Sequence, residues 1–232
     1  SFNGTKLLDG SFTSKAFQVG ANAGETIGID SVVDANVNKL GTSYQVSTAA
    51  LAAPTTAATA SVDAAFAAVA SGLTIAVNGE AAITLPPLDA IAVKPASGSA
   101  SDLAKADKAA VQQRLQDVAS AISEATSGRV TATVENDGKL TIRSLESFAL
   151  TGGTVATTAF VAQSGGLQDG FANVDISTVQ GADDAIIRMD GALKAVNSAR
   201  ADLGAIQNRF ESVVSNLSVN SENLSASRSR IL

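Results

Sequence analysis

Two acidic segments of this 232-residue chain have residue types that could bind a metal ion. Residues 135–138 (Glu-Asn-Asp-Gly) partly resemble a calcium loop, but the regularly spaced acids and the twelfth-position glutamate of such a loop are absent. An Asn-Asp-Gly hairpin turn explains this segment better. Asp183 and Asp184 could also be metal ligands, but the dipole of a helix favours two acids near its N-terminus. The sequence therefore predicts no metal site.

Nucleophilic catalysis has one weak candidate, a pairing of Ser101 with Lys105 or Lys108. A serine–lysine dyad also needs an oxyanion hole and a nucleophile motif, and neither is recognisable, so solvated helix charges are the better interpretation. The chain has no cysteine and no histidine, which removes thiolate chemistry, the usual general base and the commonest metal ligand. We therefore expect a protein that is not an enzyme and that uses no cofactor.

Charge and composition exclude further classes of partner. Sixteen basic residues stand against twenty-two acidic ones, for a net charge of −6, and no basic stripe that could bind nucleic acid occurs. One tyrosine and no tryptophan leave little for stacking on sugars. The uncharged stretch 40–62 is rich in Ser, Thr and Ala and contains Pro54, so it is too polar to span a membrane. The sequence begins at Ser1 without a Met or a signal peptide, which suggests that it was cut from a longer parent.

The most informative pattern lies at the C-terminal end, where residues 179–231 are predicted to form one long helix. One position of the heptad is apolar seven times in succession, and we name this set the seam: Met189, Val196, Leu203, Phe210, Leu217, Leu224 and Ile231. The second apolar position of the heptad is interrupted by Arg200, Gln207, Ser221 and Arg228. Such a narrow stripe with polar interruptions is typical of coiled-coil packing. Residues 177–180 (Ser-Thr-Val-Gln) form a capping box, which is a good signal for the start of this helix.

The predicted helix is too long for a compact chain of this size. Its 53 residues would extend about 80 Å, whereas a compact 232-residue protein is about 45 Å across. Since the chain offers no second long heptad pattern, the partners of the seam are expected in another part of a longer protein or in neighbouring subunits. Gly191 and Gly204 lie inside this helix, either because another backbone approaches closely or as tolerated weak points.

The rest of the chain reads as hairpins around one shorter helix. Alternating apolar residues on either side of residues 20–24 predict a hairpin within residues 1–45, and the low-complexity stretch 46–62 reads as a linker. A second hairpin turns at Asn78-Gly79, a helix runs from 101 to 127, and a third hairpin turns at 136–138. This ββ-α-ββ order predicts a small α+β domain with a helix packed on a sheet. Residues 149–172 are expected to be an edge strand or a connection to the long helix.

The two ends of the chain together resemble bacterial flagellin. At the N-terminal end the similarity lies in residues 2–10 (FNGTKLLDG), 17–22 (FQVGAN) and 25–27 (ETI). At the C-terminal end it lies in residues 199–210 (ARADLGAIQNRF) and 227–231 (SRSRI). The middle of the chain would correspond to the variable outer part of the family. In flagellins the C-terminal helix packs with N-terminal helices in a domain named D1, so the resemblance explains a helix without a partner.

The resemblance implies an α+β fold with three parts. Residues 1–45 would be the N-terminal part of D1, 46–170 the variable outer domain D2, and 171–232 the long C-terminal helix of D1. The chain would then be a truncated flagellin that contains part of D1 together with D2. By itself such a fragment is expected to be a monomer, or a weak dimer that pairs through the seam.

The resemblance also implies the function of a structural subunit of the flagellar filament, exported through the flagellar type III system and located outside the cell. Implied partners are other flagellin subunits, an export chaperone, the filament cap and the innate immune receptor Toll-like receptor 5. The receptor surface of the family includes the C-terminal helix, which carries over here to Gln207, Asn208 and Arg209. The alternative is a surface adhesin or a carbohydrate-binding module, in which the middle domain would do the binding.

Overall fold

A computed structural model describes residues 4, 6–19, 24–52, 64–66, 68, 73–93, 100–151 and 163–231. Within these residues the chain forms twelve strands and two α-helices. The strands are β1 Thr13–Gln18, β2 Thr26–Ser31, β3 Ser43–Ser47, β4 Ala64–Phe66, β5 Thr74–Val77, β6 Ile83–Thr84, β7 Ile91–Val93, β8 Val130–Val134, β9 Leu140–Ser144, β10 Phe148–Thr151, β11 Gln163–Ser164 and β12 Gly166–Gln168. The helices are α1 Ala100–Ala125 and α2 Val179–Ile231. The predicted α+β fold with a long C-terminal helix is confirmed.

The chain divides into two compact units. Unit 1 contains residues 1–41, 170–172 and 189–232, and unit 2 contains residues 42–169 and 173–188. The first ten residues of α2 therefore belong to unit 2, and the remainder of this helix belongs to unit 1. No helix in the described part of the chain is long and apolar enough to cross a membrane.

Unit 2 contains two four-stranded antiparallel sheets in its described residues, with the strand orders β11-β10-β5-β6 and β12-β3-β9-β8. The predicted hairpin at residues 78–79 is confirmed as β5–β6, and both turn residues have the positive φ that a primed turn requires: 53° at Asn78 and 73° at Gly79. The third predicted hairpin is β8–β9. The prediction of a helix on one sheet was incomplete, because the two hairpins lie in different sheets.

Helix α1 supplies the apolar face that closes the core of unit 2. Val111, Leu115, Val118 and Ile122 recur at helical spacing, and all four are buried in one cluster with strand residues of both sheets. The helix ends as predicted near Gly128, whose φ is 79° and whose N–H donates to the carbonyl of Ser123 (2.8 Å). The predicted helix 101–127 is therefore confirmed to within two residues at its C-terminal end.

Two stretches that the sequence analysis interpreted as connections, 46–62 and 149–172, contribute strands to unit 2. Residues 46–47 are part of β3, and Thr48 and Leu51 are buried, so the start of the expected linker 46–62 belongs to the domain core. Residues 53–62 lie outside the described residues. In 149–172, β10 is an inner strand, while β11 and β12 form the predicted sheet edges. Val46 of β3 is partly buried and packs against the core cluster. The composition of the stretch could not show this, because it carries no information on which distant strand pairs with it.

Unit 1 contains the first predicted hairpin, which is confirmed as the antiparallel pair β1–β2 with Phe17 opposite Ile27. The tip of this hairpin, residues 20–23, lies outside the described residues. Ile27 and Ala192 are the buried apolar residues of unit 1 among those that the structure describes. Unit 1 therefore has a much smaller core of its own than unit 2.

The start of α2 at Val179 is as predicted, but its N-cap lies one residue later than the first residue of the predicted capping box. The helix begins at Val179, and the hydroxyl of Thr178 accepts a hydrogen bond from the N–H of Gly181 (3.0 Å), so Thr178 is the N-cap rather than Ser177. A Cβ atom at Gly181 would lie 1.8 Å from the carbonyl oxygen of Asp175. Glycine is therefore required where the preceding loop crosses the first turn. At Gly204 no described atom lies within 4 Å of such a Cβ, so no close backbone approach explains this glycine.

Candidate functional site

The seam of α2 lies in solvent over most of its described length. Met189, Val196, Leu203 and Leu217 are between 39% and 53% exposed, and Leu224 is 72% exposed. Phe210 is half-buried, and the side chain of Ile231 lies outside the described residues. From residue 221 to 230 every residue of the helix is exposed. An apolar stripe of this length in water is a surface that another chain segment could cover.

Unit 1 covers a neighbouring face of α2 instead of the seam. We name this the covered face, and all six of its residues are buried or half-buried: Ala192, Ala195, Ala199, Ile206, Phe210 and Val213. Four of them recur every seven residues, at 192, 199, 206 and 213, so a heptad count could have found this face beside the seam. Alanine at three of these six positions allows a close approach of the N-terminal segment. The apolar surface of α2 is consequently wider than the narrow stripe that the sequence indicated.

One aromatic contact joins the hairpin of unit 1 to this helix. The rings of Phe17 and Phe210 meet edge to face, with their centroids 6.0 Å apart and their planes at 75°. Phe17 remains 42% exposed. Phe210 therefore packs within its own chain on one side while it also belongs to the seam.

A groove of about 410 Å³ lies between the segment after β2 and the middle of α2. Val32, Val33 and Asp34 form one wall, and the other wall is formed by Ala195, Ser198, Ala199, Asp202, Leu203 and Ile206. In the loop after β2, the carboxylate of Asp34 accepts a hydrogen bond from the N–H of Asn36 (3.0 Å). The two charged residues of the groove lining, Asp34 and Asp202, are both acidic. The groove thus combines an apolar floor with negative charge.

The first turns of α2 are held in unit 2 by buried polar contacts. Arg188 is 5% exposed, forms an ion pair with Asp184 (2.6 Å) and donates to the carbonyl of Asp169. Arg143, also buried, donates to the carbonyl of Gln180 (3.3 Å). Burial lowers the pKa of the Arg143 guanidinium. The nearby carboxylates, of which Asp184 has the largest effect, raise this pKa but do not outweigh burial. Asp184 is therefore a buried ion-pair partner in the second turn, which an argument from the helix dipole alone did not predict.

The acidic segment 135–138 forms the turn between β8 and β9, as the sequence indicated. Asp137 forms an ion pair with Lys139 (2.5 Å), and a hydrogen bond from this lysine lowers the pKa of Asp137. Gly138 has a φ of 80°. Among the described residues no group of three acidic side chains is placed to hold a metal ion. Lys105 and Lys108 are exposed on α1.

The three residues carried over as possible receptor contacts lie together on the outer surface of α2. Gln207, Asn208 and Arg209 are all exposed, and they directly precede Phe210. A partner protein could therefore reach them in this chain. Their role in binding stays a prediction.

Comparisons with known proteins agree on one family. The model of the bacterial flagellin C-terminal helical region matches residues 186–232. Flagellin B of Vibrio anguillarum is 33% identical over 236 residues, and flagellin B of Vibrio cholerae serotype O1 is 34% identical over 237 residues. Both alignments cover all of this chain and 54% of the relative. The B-type flagellin of Pseudomonas aeruginosa is 35% identical over 164 residues, which cover 69% of this chain and 33% of that protein. The chain spans about half the length of the Vibrio relatives.

Proposed function

Because the chain belongs to the flagellin family, we propose that the whole protein is the structural subunit of a bacterial flagellar filament. The observation that carries this proposal is the exposed seam of α2. A surface helix in water normally hides its apolar stripe, and burial of an apolar side chain contributes roughly 1.5–3 kcal/mol. The several seam residues left in solvent therefore favour assembly with further helices, which is what a filament subunit requires.

In this proposal the two units have different tasks. Unit 1 corresponds to the D1 part of the family, within the predicted ranges 1–45 and 171–232. Unit 2 corresponds to the outer domain, predicted as 46–170, and also includes residues 173–188. A unit that encloses its own core can face solvent on the filament surface, whereas a helix with an exposed stripe suits the packed interior. Location outside the cell, export by the flagellar type III system, and contacts with an export chaperone and the filament cap follow from the family resemblance.

Filament growth from the full-length polypeptide tests the proposal. Leu217→Asp places a charge on the seam, and we expect it to abolish or strongly reduce filaments in negative-stain electron microscopy. Val219→Asp is a matched control, because Val219 is also an exposed apolar residue of α2 (54%) but lies off the seam. Normal filaments from the Leu217 variant would contradict the proposal, as would equal loss in both variants. Circular dichroism would show that both variants keep their helix content.

Recognition by Toll-like receptor 5 is a second, finer proposal, supported by the exposure of Gln207, Asn208 and Arg209. Arg209 is the best single candidate, since arginine is enriched among residues that dominate binding energies. We expect Arg209→Ala to weaken receptor binding by the full-length protein, measured by surface plasmon resonance, by about tenfold or more. Arg200→Ala, an exposed arginine on the same helix, is the control. Equal affinity of the Arg209 variant and the unchanged protein would reject this contact.

A further inference from the structure

The first turns of α2, which belong to unit 2, bury charged side chains and expose apolar ones. Asp184 and Arg188 are buried, whereas Val179 and Ile186 of the same turns are 75% and 61% exposed. A surface helix normally turns its apolar side towards the domain on which it packs. Charged side chains therefore occupy positions in unit 2 where apolar ones are expected, and this reversal needs a physical reason.

Three buried charged residues connect the start of α2 to the strands of unit 2, and we name them the buried charge cluster: Arg143, Asp184 and Arg188. Asp184 and Arg188 form an ion pair (2.6 Å) one turn apart on the helix. Arg143 of β9 donates to the carbonyl of Gln180 (3.3 Å), and Arg188 donates to the carbonyl of Asp169, which directly follows β12. One bond therefore runs from a strand to the helix and the other from the helix to the end of a strand. Both are satisfied together only at one rotation and one axial position of the helix start.

Burial of this cluster has a cost in free energy that its contacts do not fully offset. Oδ1 of Asp184 and Nε of Arg143 are buried, and neither atom has a hydrogen-bond partner among the described residues. The cost of desolvation is also visible in the pKa of Arg143, which burial lowers. Replacement of a whole buried ion pair by apolar residues is often neutral or stabilising, whereas removal of one partner alone is strongly destabilising. A gain in stability therefore does not explain why this contact is charged.

We propose that the buried charge cluster is a positioning device, which holds the first turns of α2 at one rotation and one axial position in unit 2 and adds little to the free energy of unfolding. Apolar packing has no preferred direction and tolerates small shifts, whereas hydrogen bonds and ion pairs require a defined geometry. Arg143, Asp184 and Arg188 are the positioning residues. The inference goes beyond the proposed function, because it concerns contacts within unit 2 alone.

The position of the helix start can be measured as a distance between two spin labels in the 232-residue chain. The chain contains no cysteine, so Ser120→Cys on α1 and Ile186→Cys on α2 provide two exposed labelling sites within unit 2. Dilution with unlabelled chain removes distances between molecules. With the buried charge cluster intact, we expect double electron–electron resonance to give one narrow distribution of distances.

An apolar replacement of the whole cluster tests both parts of the proposal, and it combines Arg143→Met, Asp184→Leu and Arg188→Met. The distance distribution should broaden or gain a second peak displaced by one helical turn, about 5 Å. The midpoint of urea unfolding should stay the same or rise. A distribution as narrow as that of the unchanged cluster would overturn the proposal, since the charges would then not set the position. A lowered midpoint, or a chain that does not fold, would overturn it as well, because the cluster would then be a source of stability.

Asp184→Asn is a milder variant that has a matched control. It keeps the size of the side chain and removes its charge, so it should broaden the distance distribution and speed amide exchange at residues 180–188 by about tenfold or more. Asp137→Asn makes the same change in an exposed ion pair of unit 2, the pair with Lys139, and should alter neither measurement. An unchanged distribution in the Asp184 variant, or equal broadening in the Asp137 variant, would contradict the proposal. Filament growth does not enter these tests, so their failure would leave the proposed function unaffected.

Discussion

Unit 2 encloses its apolar residues, whereas α2 in unit 1 leaves most of its apolar stripe in solvent. Eighteen buried apolar residues of unit 2 form one cluster between α1 and the strands. In the described part of unit 1 only Ile27 and Ala192 are buried apolar residues. Both regions have a regular amphipathic pattern, so the pattern alone does not make a core. The difference shows that a core also needs a second layer, which unit 2 has and which no described residue of this chain supplies along most of the seam.

Hydrogen exchange should give the largest difference between the two regions. Amides of residues 111–122 in α1 lie against the core, so their exchange should need global unfolding of unit 2, at a cost on the order of 5 kcal/mol or more. Amides of residues 215–230 lie in exposed turns of α2 and should exchange after local fraying at little cost. Mass-spectrometric exchange of the monomeric chain would measure both. Uniformly slow exchange along α2 in a monomer would mean that an intrachain partner covers it.

Truncation of one leucine in each region sharpens the same comparison. Leu115 is fully buried in unit 2, and Leu115→Ala should lower the free energy of unfolding by about 3–4 kcal/mol through lost burial and a cavity. Leu224 is 72% exposed, and Leu224→Ala should change the free energy of unfolding by less than about 0.5 kcal/mol. Urea unfolding followed by circular dichroism at low protein concentration gives both values. Similar losses for the two variants would show that the C-terminal part of α2 around Leu224 is packed in solution.

The two glycines of α2 should respond to alanine with opposite signs. Gly204→Ala adds a methyl group in open space and should stabilise the helix by roughly 0.5–1 kcal/mol, as expected for alanine over glycine. Gly181→Ala forces its Cβ into the carbonyl oxygen of Asp175 and should destabilise the start of the helix by roughly 1–3 kcal/mol. Thermal unfolding of each variant measures whether the substitution raises or lowers the stability of the protein. Stabilisation by Gly181→Ala would mean that the loop before α2 can move away.

The smallest expected effect is a pH response at the surface of unit 2. Arg129 donates hydrogen bonds to Glu80 and Glu146, and its bond lowers the pKa of Glu80 below the ordinary value of 4.5. Because the pKa of Glu80 is lower in the folded protein than in the unfolded chain, the ion pair stabilises the fold above pH 4.5. This stabilisation is lost as the pH falls through the folded pKa of Glu80. NMR titration of the Glu80 carboxyl should show the depressed pKa, and Arg129→Gln should return it to the ordinary range. An unchanged pKa in that variant would exclude the ion pair.

Local patterns predicted most of the fold of unit 2. Asn78-Gly79 and the 136–138 turn fixed two hairpins, since few residues adopt the positive φ that such turns need. The helical spacing of Val111, Leu115 and Val118 identified the face that packs on the strands. The assignment of the two hairpins to separate sheets was missed, because strand pairing between distant segments leaves no local signal. For the same reason the strand at Ser43–Ser47 was partly read as linker.

At the candidate site, the sequence identified the seam, but the structure identified the groove and the covered face of α2. The heptad repeat of the seam is a property of one helix, and it can be counted without knowing what lies beside it. The groove requires Val32, Val33 and Asp34 to lie against residues more than 150 positions later, which no periodicity reveals. Asp184 likewise was interpreted from the sequence only as an acid favoured by the helix dipole, and the structure shows that it forms a buried ion pair with Arg188.

The sequence by itself therefore determined the elements: the hairpins, α1, the 53-residue length of α2 and the apolar stripe along it. These elements depend on the backbone preferences and the spacing of residues that are close together in sequence, so a short segment is enough to predict each of them. Only the tertiary structure decided which apolar faces are covered, which strands share a sheet and where acidic residues meet in a groove. Such contacts depend on burial between segments far apart in sequence, and their energies arise only when the chain brings those segments together.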